Sequence, residues 1–336
     1  MKDIRQILAS YPIHVVSQEQ ITKNVLRIFD GQRAYALKRS QLTSEAVAQW
    51  ENVYNQAYQQ HISSILPVYM TNQGELSRSD SYSFYYLTPW ISEKELGRKE
   101  QIKRLYHTIG DIHAKTQQSF TMDAEKITAS FTSYRKTLQT NRKLLLECVE
   151  LFEKSRYMSP VELLVCTHYR DLDSVMRELD QRVERFIDEV NGQSEWRSCL
   201  CHGQLDFSHC LFGEQTYITN WEHAYYDNAT RDLAAMYHTI VTDYDDPVDD
   251  LLHSFTDYTK KNQLSNAELY LLSIYLLDPT DYMDRIGQYR NNPSETAQVD
   301  MVQQLQRAYR KLLFAGKWLE FSDSETETET ADEAEN

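Results

Sequence analysis

The sequence has 336 residues, of which 41% are hydrophobic and 25% charged, and its formal net charge at pH 7 is −15. This composition is typical of a folded globular protein and excludes a long disordered chain. No basic run is long enough to follow a phosphate backbone, which argues against nucleic-acid binding. No stretch approaches the ~20 apolar residues that cross a bilayer, and the first residues lack the apolar core of a secretion signal. We therefore expect neither membrane insertion nor secretion.

The first 90 residues predict a small lobe of antiparallel strands and one helix. Short apolar runs, which are typical of strands, lie at 13–16, 24–29, 34–39, 65–70 and 83–88. Asp30 and Gly31 separate the second and third runs and indicate a hairpin, because glycine tolerates a positive φ. Residues 44–60 contain neither glycine nor proline and favour a helix.

After Pro89 the pattern becomes helical. Apolar residues at helical spacing predict helices over 98–117, 123–154, 170–190 and most of 231–319. The last of these helices is expected to start with Asn292 as N-cap, Pro293 at the first helical position and Glu295 at the third. Residues 199–221 interrupt the helices with a strand, a loop and a second strand. We expect an α+β fold with lobes at 1–90 and 91–320 and a hairpin at 199–222 inside the second lobe.

The end of the chain is strongly acidic. Residues 320–336 carry eight acidic side chains and no basic one, so that a disordered acidic tail is predicted over 321–336. Two interpretations of this tail are open: a solvated end, or a segment that contacts a basic partner.

The 199–222 hairpin concentrates the residues that carry chemistry, and a metal site is one interpretation of it. The soft ligands Cys199, Cys201, His202, His209 and Cys210 crowd together there, as in zinc sites. Their spacing matches no zinc pattern, and alternation along a strand separates the two nearer cysteines from the histidine that follows them. Buried cysteines usually act as small apolar residues, and an odd total of five indicates a reducing compartment. We therefore predict no metal.

A kinase-like catalytic loop is the second interpretation. The segments that indicate it are YALK at 35–38, YLTPWI at 86–91, IGDIH at 109–113, HGQLDFSH at 202–209, TNWE at 219–222 and RDLA at 231–234. Their order and spacing resemble the aminoglycoside phosphotransferase and choline kinase-like family, most closely its bacterial spore-coat branch. The resemblance covers most of residues 10–320. It implies a protein kinase-like bilobal fold with a small antiparallel-sheet N-lobe and a mostly helical C-lobe.

The resemblance also implies that the chemical positions of the loop are altered. Where family members carry a catalytic Asp, this chain has Gln204, which cannot act as a base. The metal-binding Asn of the family falls at His209, and imidazole is a poor ligand for Mg²⁺. The metal-binding Asp falls at Asn220, whose amide oxygen lacks a full negative charge. The structural frame of the loop, His202, Gly203, Trp221 and Asp232, keeps the family's residue types. The resemblance implies that His202 and Asp232 brace the loop through hydrogen bonds.

Lys38 falls where the family has its phosphate-binding lysine. Residues 17–24, where a loop would cover the phosphates, contain no glycine that would let the backbone approach them closely. Two roles for Lys38 stay open: it binds a nucleotide phosphate, or it forms a salt bridge with Glu51 or Glu45 of the following helix.

We therefore expect a catalytically degenerate kinase-like protein, a pseudokinase of the spore-coat type, which binds other coat or assembly proteins and needs no cofactor. The alternative is an active small-molecule phosphotransferase that uses ATP and Mg²⁺ with Asp206 or Glu222 as its carboxylate. The resemblance further implies synthesis in the cytoplasm of a mother cell during sporulation and a place in the spore coat.

Overall fold

The computed structural model of the chain describes residues 2–80, 83–292 and 297–335. Its helices are α1 (Lys2–Ala9), α2 (Ser44–Gln59), α3 (Arg98–Lys115), α4 (Ala124–Phe152), α5 (Pro160–Asn191), α6 (Ala229–Ile240), α7 (Val248–His253), α8 (Phe255–Thr259), α9 (Asn266–Leu277), α10 (Thr280–Asn291) and α11 (Gln298–Glu335). Its strands are β1 (Ser17–Thr22), β2 (Val25–Phe29), β3 (Ala34–Ser40), β4 (Arg78–Ser79), β5 (Phe84–Pro89), β6 (Gln118–Thr121), β7 (Glu195–Cys201), β8 (Cys210–Phe212), β9 (Thr216–Ile218) and β10 (Tyr225–Asp227). Within the described ranges, none of the helices combines the length and apolar character needed to span a membrane.

The chain forms two compact units. The first comprises Met1–Gln117, Cys199–Tyr226 and Lys260–Asn262, and the second comprises Gln118–Ser198, Asp227–Thr259 and Gln263–Asn336. This grouping differs from the predicted lobes at 1–90 and 91–320, because α3 and the 199–222 hairpin belong to the unit that holds the N-terminal sheet.

A five-stranded antiparallel sheet with the order β1-β2-β3-β5-β4 forms the frame of the first unit. The predicted hairpin joins β2 and β3, and the carboxylate of Asp30 closes its turn by accepting hydrogen bonds from the backbone of Gln32 and Arg33 at 2.8 and 2.6 Å. Ile7 and Leu8 of α1 are buried in one cluster with residues of the sheet. Burial of such side chains contributes roughly 1.5–3 kcal/mol each, so α1 is fixed by its apolar face.

Some elements of the first unit differ from the predicted ones. Helix α1 lies ahead of the 13–16 run, which is not a strand, and β1 occupies 17–22, where no strand was expected. All six residues of β1 are exposed, so this edge strand lacks the alternation on which strand prediction depends. The 65–70 run forms only isolated bridges, between Ile65 and Ile218 and between Tyr69 and Leu87.

The second unit is built on long helices. Ser159 and Glu162 form a capping box at the start of α5, with Pro160 at the favoured first position. Arg135 on α4 binds both oxygens of Asp180 on α5, at 2.7 and 2.8 Å. The two parallel hydrogen bonds hold α4 and α5 together and also set the position of one helix along the other.

The acidic end of the chain differs from the predicted disordered tail at 321–336. Helix α11 continues to Glu335, and Asp323 accepts hydrogen bonds at 2.8 and 2.6 Å from Arg182, a buried residue of α5. Arg182 also donates to Glu178 at 2.9 Å. The predicted disorder was based on the run of like charges in the sequence. The sequence does not indicate that Arg182, on a distant helix, binds Asp323 and so gives at least one of these acidic residues a defined position.

The predicted start of the last helix lies mainly outside the described residues. Pro293 and Glu295 belong to the gap between residues 292 and 297, and Asn292 is the C-cap of α10. The described part of the last helix begins at Gln298.

A buried histidine in the second unit is held without a charge. The ring of His168 stacks on Tyr309 with centroids 3.5 Å apart, and its Nδ1 lies 2.9 Å from the hydroxyl of Tyr282. Burial lowers the pKa of His168 to about 4, against a smaller opposing effect of Asp171. An exposed histidine has a pKa of about 6.5, so folding requires the neutral imidazole.

This histidine predicts a loss of stability in mild acid. Between pH 6.5 and 4 the unfolded chain binds a proton that folded His168 refuses, so stability falls as the pH falls through this window. From pH 7 to 5 the free energy of unfolding should drop by about 2 kcal/mol on account of this group. Urea denaturation should show a weaker pH dependence in His168→Gln than in His253→Gln, whose parent side chain is exposed. Equal slopes in both variants would contradict the prediction.

Candidate functional site

A cavity of about 310 Å³ lies entirely within the first unit. Val25, Ala36 and Leu66 contribute apolar walls, and residues 88–91, at the end of β5 and directly after it, also line the cavity. Lys38 and Asn220 place polar groups at the cavity lining. Apolar walls with a few polar groups are typical of small-molecule pockets. We call this cavity the Lys38 pocket.

Lys38 points from β3 toward the segment that follows β9. It lies opposite Tyr86 in the β3–β5 register, and its Nζ is 5.6 Å from the centroid of that ring. The ammonium forms an ion pair with Glu222, with 2.9 Å between Nζ and Oε1, and it also donates to the side-chain oxygen of Asn220. The predicted partners were Glu51 or Glu45 on α2; the structure places the ion pair with Glu222 instead.

Glu222 is surrounded by donors. Its Oε2 accepts from the hydroxyl of Ser40 at 2.7 Å, and its Oε1 accepts from Tyr86 at 2.9 Å as well as from Lys38. The carboxylate side chain is only 15% exposed. Both oxygens are therefore occupied by groups of the chain itself.

Burial and charge act in opposite directions on this pair. Burial lowers the pKa of Lys38, and the nearby Glu222 opposes that shift. Burial also acts to raise the pKa of Glu222, but the charge of Lys38 and the hydrogen bonds outweigh it and hold that pKa below its usual value. The Glu222 carboxylate is therefore ionised at neutral pH, and it compensates the positive charge of Lys38 from within the pocket.

The loop after β7 is fixed by His202. This buried imidazole donates from Nε2 to the carbonyl of Thr219 at 2.7 Å, and its Nδ1 accepts from the backbone of Gln204 at 3.3 Å. One nitrogen donates and the other accepts, which defines a neutral tautomer. The His202 ring also packs edge to face against the Trp221 ring, with 4.9 Å between the ring centroids. The predicted bracing role of His202 thus has a set of contacts within the first unit.

Trp221 and Asp232, which were also predicted to belong to the loop frame, lie in different units of the chain. Trp221 is fully buried and donates from its indole nitrogen to the carbonyl of Ile218 at 3.0 Å. Asn220, directly before it, has a left-handed backbone with φ of 66°, which asparagine tolerates better than most residues. Asp232 is buried in the first turn of α6, in the second unit.

Two of the three altered positions, Gln204 and His209, lie side by side. The Gln204 side chain is exposed, while its carbonyl lies 2.6 Å from Nδ1 of His209. A carbonyl oxygen can only accept, so this nitrogen of His209 is the donor. The loop therefore presents an amide and an imidazole where the resemblance implies a carboxylate and an amide.

Asp206 is engaged in the local turn. Its Oδ1 accepts from the backbone of Ser208 at 2.7 Å, from the Ser208 hydroxyl at 2.6 Å and from the backbone of His209 at 3.2 Å. It caps the 3₁₀ turn at Phe207–His209. This carboxylate is therefore a structural cap in the folded chain.

The five soft ligands named from the sequence do not form one site. His202 and His209 use ring nitrogens in the hydrogen bonds above, and the Cys210 thiol donates to the carbonyl of Asp206 at 3.4 Å. Cys199 and Cys201 instead lie beside His113 of α3. Sequence reasoning missed this neighbour, because nothing in the local pattern indicates which helix faces β7.

Solved structures with the same fold are phosphotransferases and kinases. An aminoglycoside phosphotransferase from Alicyclobacillus acidocaldarius matches with a TM-score of 0.67 and 18% identity, over 95% of this chain and 96% of that chain. AMP-bound spectinomycin phosphotransferase APH(9)-Ia matches with a TM-score of 0.55 and 13% identity, over 94% and 97%. Amicoumacin kinase hAmiN, in complex with AMP-PNP, Ca²⁺ and Ami, matches with a TM-score of 0.53 and 12% identity, over 94% and 93%. The predicted kinase-like fold is confirmed.

The family is indicated by the C-terminal half of the chain. Residues 181–317 match the family model described as "Spore coat putative kinase YutH". This match and the phosphotransferase fold together support a kinase-like spore-coat family, as the loop motifs predicted. None of the curated proteins matches the sequence.

Gly203 is predicted to be indispensable for the shape of the loop. Its φ is 83°, and an added Cβ would overlap the carbonyl oxygen of His223 and approach the Tyr225 ring to 3.1 Å. Gly203→Ala should lower the free energy of unfolding by more than about 3 kcal/mol, from backbone strain and overlap together. Gly74→Ala is the matched control, because Gly74 has a φ of 81° but nothing within 4 Å of the added atom. It should cost only about 1 kcal/mol in urea denaturation; equal costs would contradict the prediction.

Glu222→Gln tests the ion pair with Lys38. The variant leaves a mostly buried ammonium without its carboxylate, and we expect a loss of about 3 kcal/mol in the free energy of unfolding. Glu19→Gln removes an exposed carboxylate 3.8 Å from Arg27 and should change stability by less than about 1 kcal/mol. Chemical denaturation measures both. A Glu222 variant as stable as the Glu19 variant would show that the pair does not hold the pocket together.

Proposed function

We propose that this chain is a catalytically degenerate kinase-like protein, a pseudokinase of the spore-coat type, which acts by binding other coat or assembly proteins. The observation that carries the proposal is the occupation of Lys38 by Glu222 and Asn220. In an active protein kinase the phosphate-binding lysine pairs with a glutamate of a helix, while the Mg²⁺-binding carboxylate stays available to the metal. Here Lys38 pairs instead with Glu222 and Asn220 of the loop itself, so the side chains nearest the metal position are engaged by the lysine.

The donor set of the loop supports the same conclusion. Phosphoryl transfer needs a carboxylate near the attacking hydroxyl and Mg²⁺ held by oxygen ligands. Gln204, His209 and Asn220 stand at the positions where the resemblance places these groups, and they offer two amides and an imidazole. This set does not fit Mg²⁺, which prefers hard anionic oxygens.

The two fallback carboxylates are also committed to internal contacts. Asp206 caps the turn that contains Ser208 and His209. Glu222 accepts from Lys38, Ser40 and Tyr86. Use of either group in catalysis would require these contacts to break, which adds their cost to the barrier.

One observation favours the alternative, an active phosphotransferase for a small molecule. The Lys38 pocket has a volume of about 310 Å³ and apolar walls, which suit a planar base. Solved structures of the same fold include complexes with AMP and with AMP-PNP. Under this alternative Asp206 or Glu222 would serve as the carboxylate.

We also propose a location and a class of partner. We infer a place in or on the spore coat, after synthesis in the mother cell, and recognition of other coat or assembly proteins rather than of nucleic acid. The family description names the spore coat and supports this inference.

Calorimetric titration with ATP, in the presence of Mg²⁺ and of a chelator, tests the proposal. The purified full chain should give no Mg²⁺-dependent binding, because its loop lacks the anionic ligands. The triple variant Gln204→Asp, His209→Asn, Asn220→Asp restores the family's residue types and should gain Mg²⁺-dependent binding. A nucleotide bound at a hundredfold excess over its Kd should also stabilise this variant by about 2.7 kcal/mol.

Two results decide between the functions. Mg²⁺-dependent ATP binding by the unaltered chain, followed by phosphate transfer to an alcohol or amine, would overturn the proposal in favour of the active enzyme. Binding gained only by the triple variant, with a circular dichroism spectrum matching that of the parent, would support degeneration of an inherited site. An Asp206→Asn variant serves as the control, because it alters the loop without restoring a ligand.

A further inference from the structure

A buried group of soft ligands lies in the first unit, outside the Lys38 pocket. It consists of Cys199 and Cys201 on β7 and His113 on α3, with relative exposures of 3%, 0% and 0%. One potential ligand atom from each residue lies within 4.8 Å of the other two. Among the described residues this is the one such group of three that could hold a metal ion. We call it the Cys–Cys–His cluster.

We propose that the Cys–Cys–His cluster binds one zinc ion. Two thiolates and one neutral imidazole are a ligand set that zinc uses in proteins, with the fourth position of the tetrahedron left to water or another small ligand. Two thiolates balance the charge of Zn²⁺, so the bound site is neutral, as a buried site requires. Binding releases the two thiol protons to solvent, and no oxidant or reductant takes part.

The geometry is close to what zinc requires. Zinc–sulfur bonds of about 2.3 Å and zinc–nitrogen bonds of about 2.0–2.1 Å place tetrahedral ligand atoms roughly 3.5–3.8 Å apart. The present 4.8 Å limit is about 1 Å larger, a difference that small side-chain rotations can close. Cys199 and Cys201 are two positions apart on β7 and so project to the same face of the strand. No shift of the strand register is needed.

The origin of the three ligands distinguishes this cluster from ordinary core packing. A buried cysteine usually acts as a small apolar side chain, which accounts well for Cys210. It does not account for two thiols on one strand that converge with an imidazole from a helix far away in the sequence. The backbone of Leu200 already donates to the hydroxyl of Thr116 at 3.0 Å, so the end of α3 and β7 are held close at this point.

A zinc ion in the Cys–Cys–His cluster would stabilise the start of the loop that follows β7. Cys201 is followed directly by His202, whose two ring nitrogens fix the loop. A metal that joins His113 to Cys201 would therefore fasten the first residue of the loop to α3. This role is structural and does not depend on whether the Lys38 pocket binds a nucleotide.

The test uses the full chain, stripped of metal by a chelator under reducing, oxygen-free conditions. Cobalt is titrated first, because tetrahedral cobalt with thiolate ligands absorbs visible light, and zinc then displaces it. We expect one cobalt and one zinc per chain, and a higher melting temperature with zinc. Cys199→Ser and Cys201→Ser should lose at least tenfold in zinc affinity, and His113→Gln should also bind more weakly.

Cys210→Ser is the matched control, because Cys210 is equally buried and lies outside the cluster. This variant should keep both the cobalt spectrum and the stoichiometry of one. Absence of the thiolate spectrum in the unaltered chain, or its loss in Cys210→Ser but not in Cys199→Ser, would overturn the proposal. Thiol alkylation of the unaltered chain in enough urea to open these buried thiols without zinc, mapped by mass spectrometry, keeps the test valid if a variant fails to fold: zinc should protect Cys199 and Cys201 selectively. Equal labelling with and without zinc would overturn the proposal.

Discussion

The ion pair between Lys38 and Glu222 is the contact on which the arrangement of the pocket depends. It joins the central part of β3 to the segment that follows β9, across a large separation in sequence. Ser40 and Tyr86 add hydrogen bonds to the same carboxylate. Because both charges are mostly buried, each needs the other, and loss of one partner leaves a costly isolated charge. The groups that would otherwise face a ligand therefore hold the first unit together.

The shape of the loop and its chemistry rest on different residues. His202, Gly203 and Trp221 hold the backbone path through neutral hydrogen bonds, a left-handed glycine and burial. None of these features needs a carboxylate at position 204 or 220. The frame can thus keep its geometry while the ligands for a divalent ion are replaced. This separation would allow a chain with a phosphotransferase fold to take the binding role proposed above.

Local patterns in the sequence were sufficient for the strongly periodic elements and for the β2–β3 hairpin, because those signals lie within a few residues. They failed at β1, whose residues are all exposed, and at the 65–70 run, which makes only single bridges. The kinase-like fold could be predicted from the order and spacing of several motifs. The partner of Lys38 and the neighbour of the two strand cysteines were not, since both depend on contacts between distant segments that no spacing encodes.

The ion pair between Arg182 and Asp323 determines how the beginning of the acidic segment is attached to the second unit. Arg182 is buried and has two acidic partners, one within its own helix and one near the end of α11. The two hydrogen bonds from buried Arg182 attach Asp323 to the second unit, although the Asp323 side chain itself is half exposed. Cleavage of the chain before Asp323 would remove one of the two carboxylates that neutralise Arg182. Cleavage after Ser324 would leave the ion pair between Arg182 and Asp323 intact. The attachment of this part of the acidic segment therefore depends on the buried charge of Arg182 and not on composition alone.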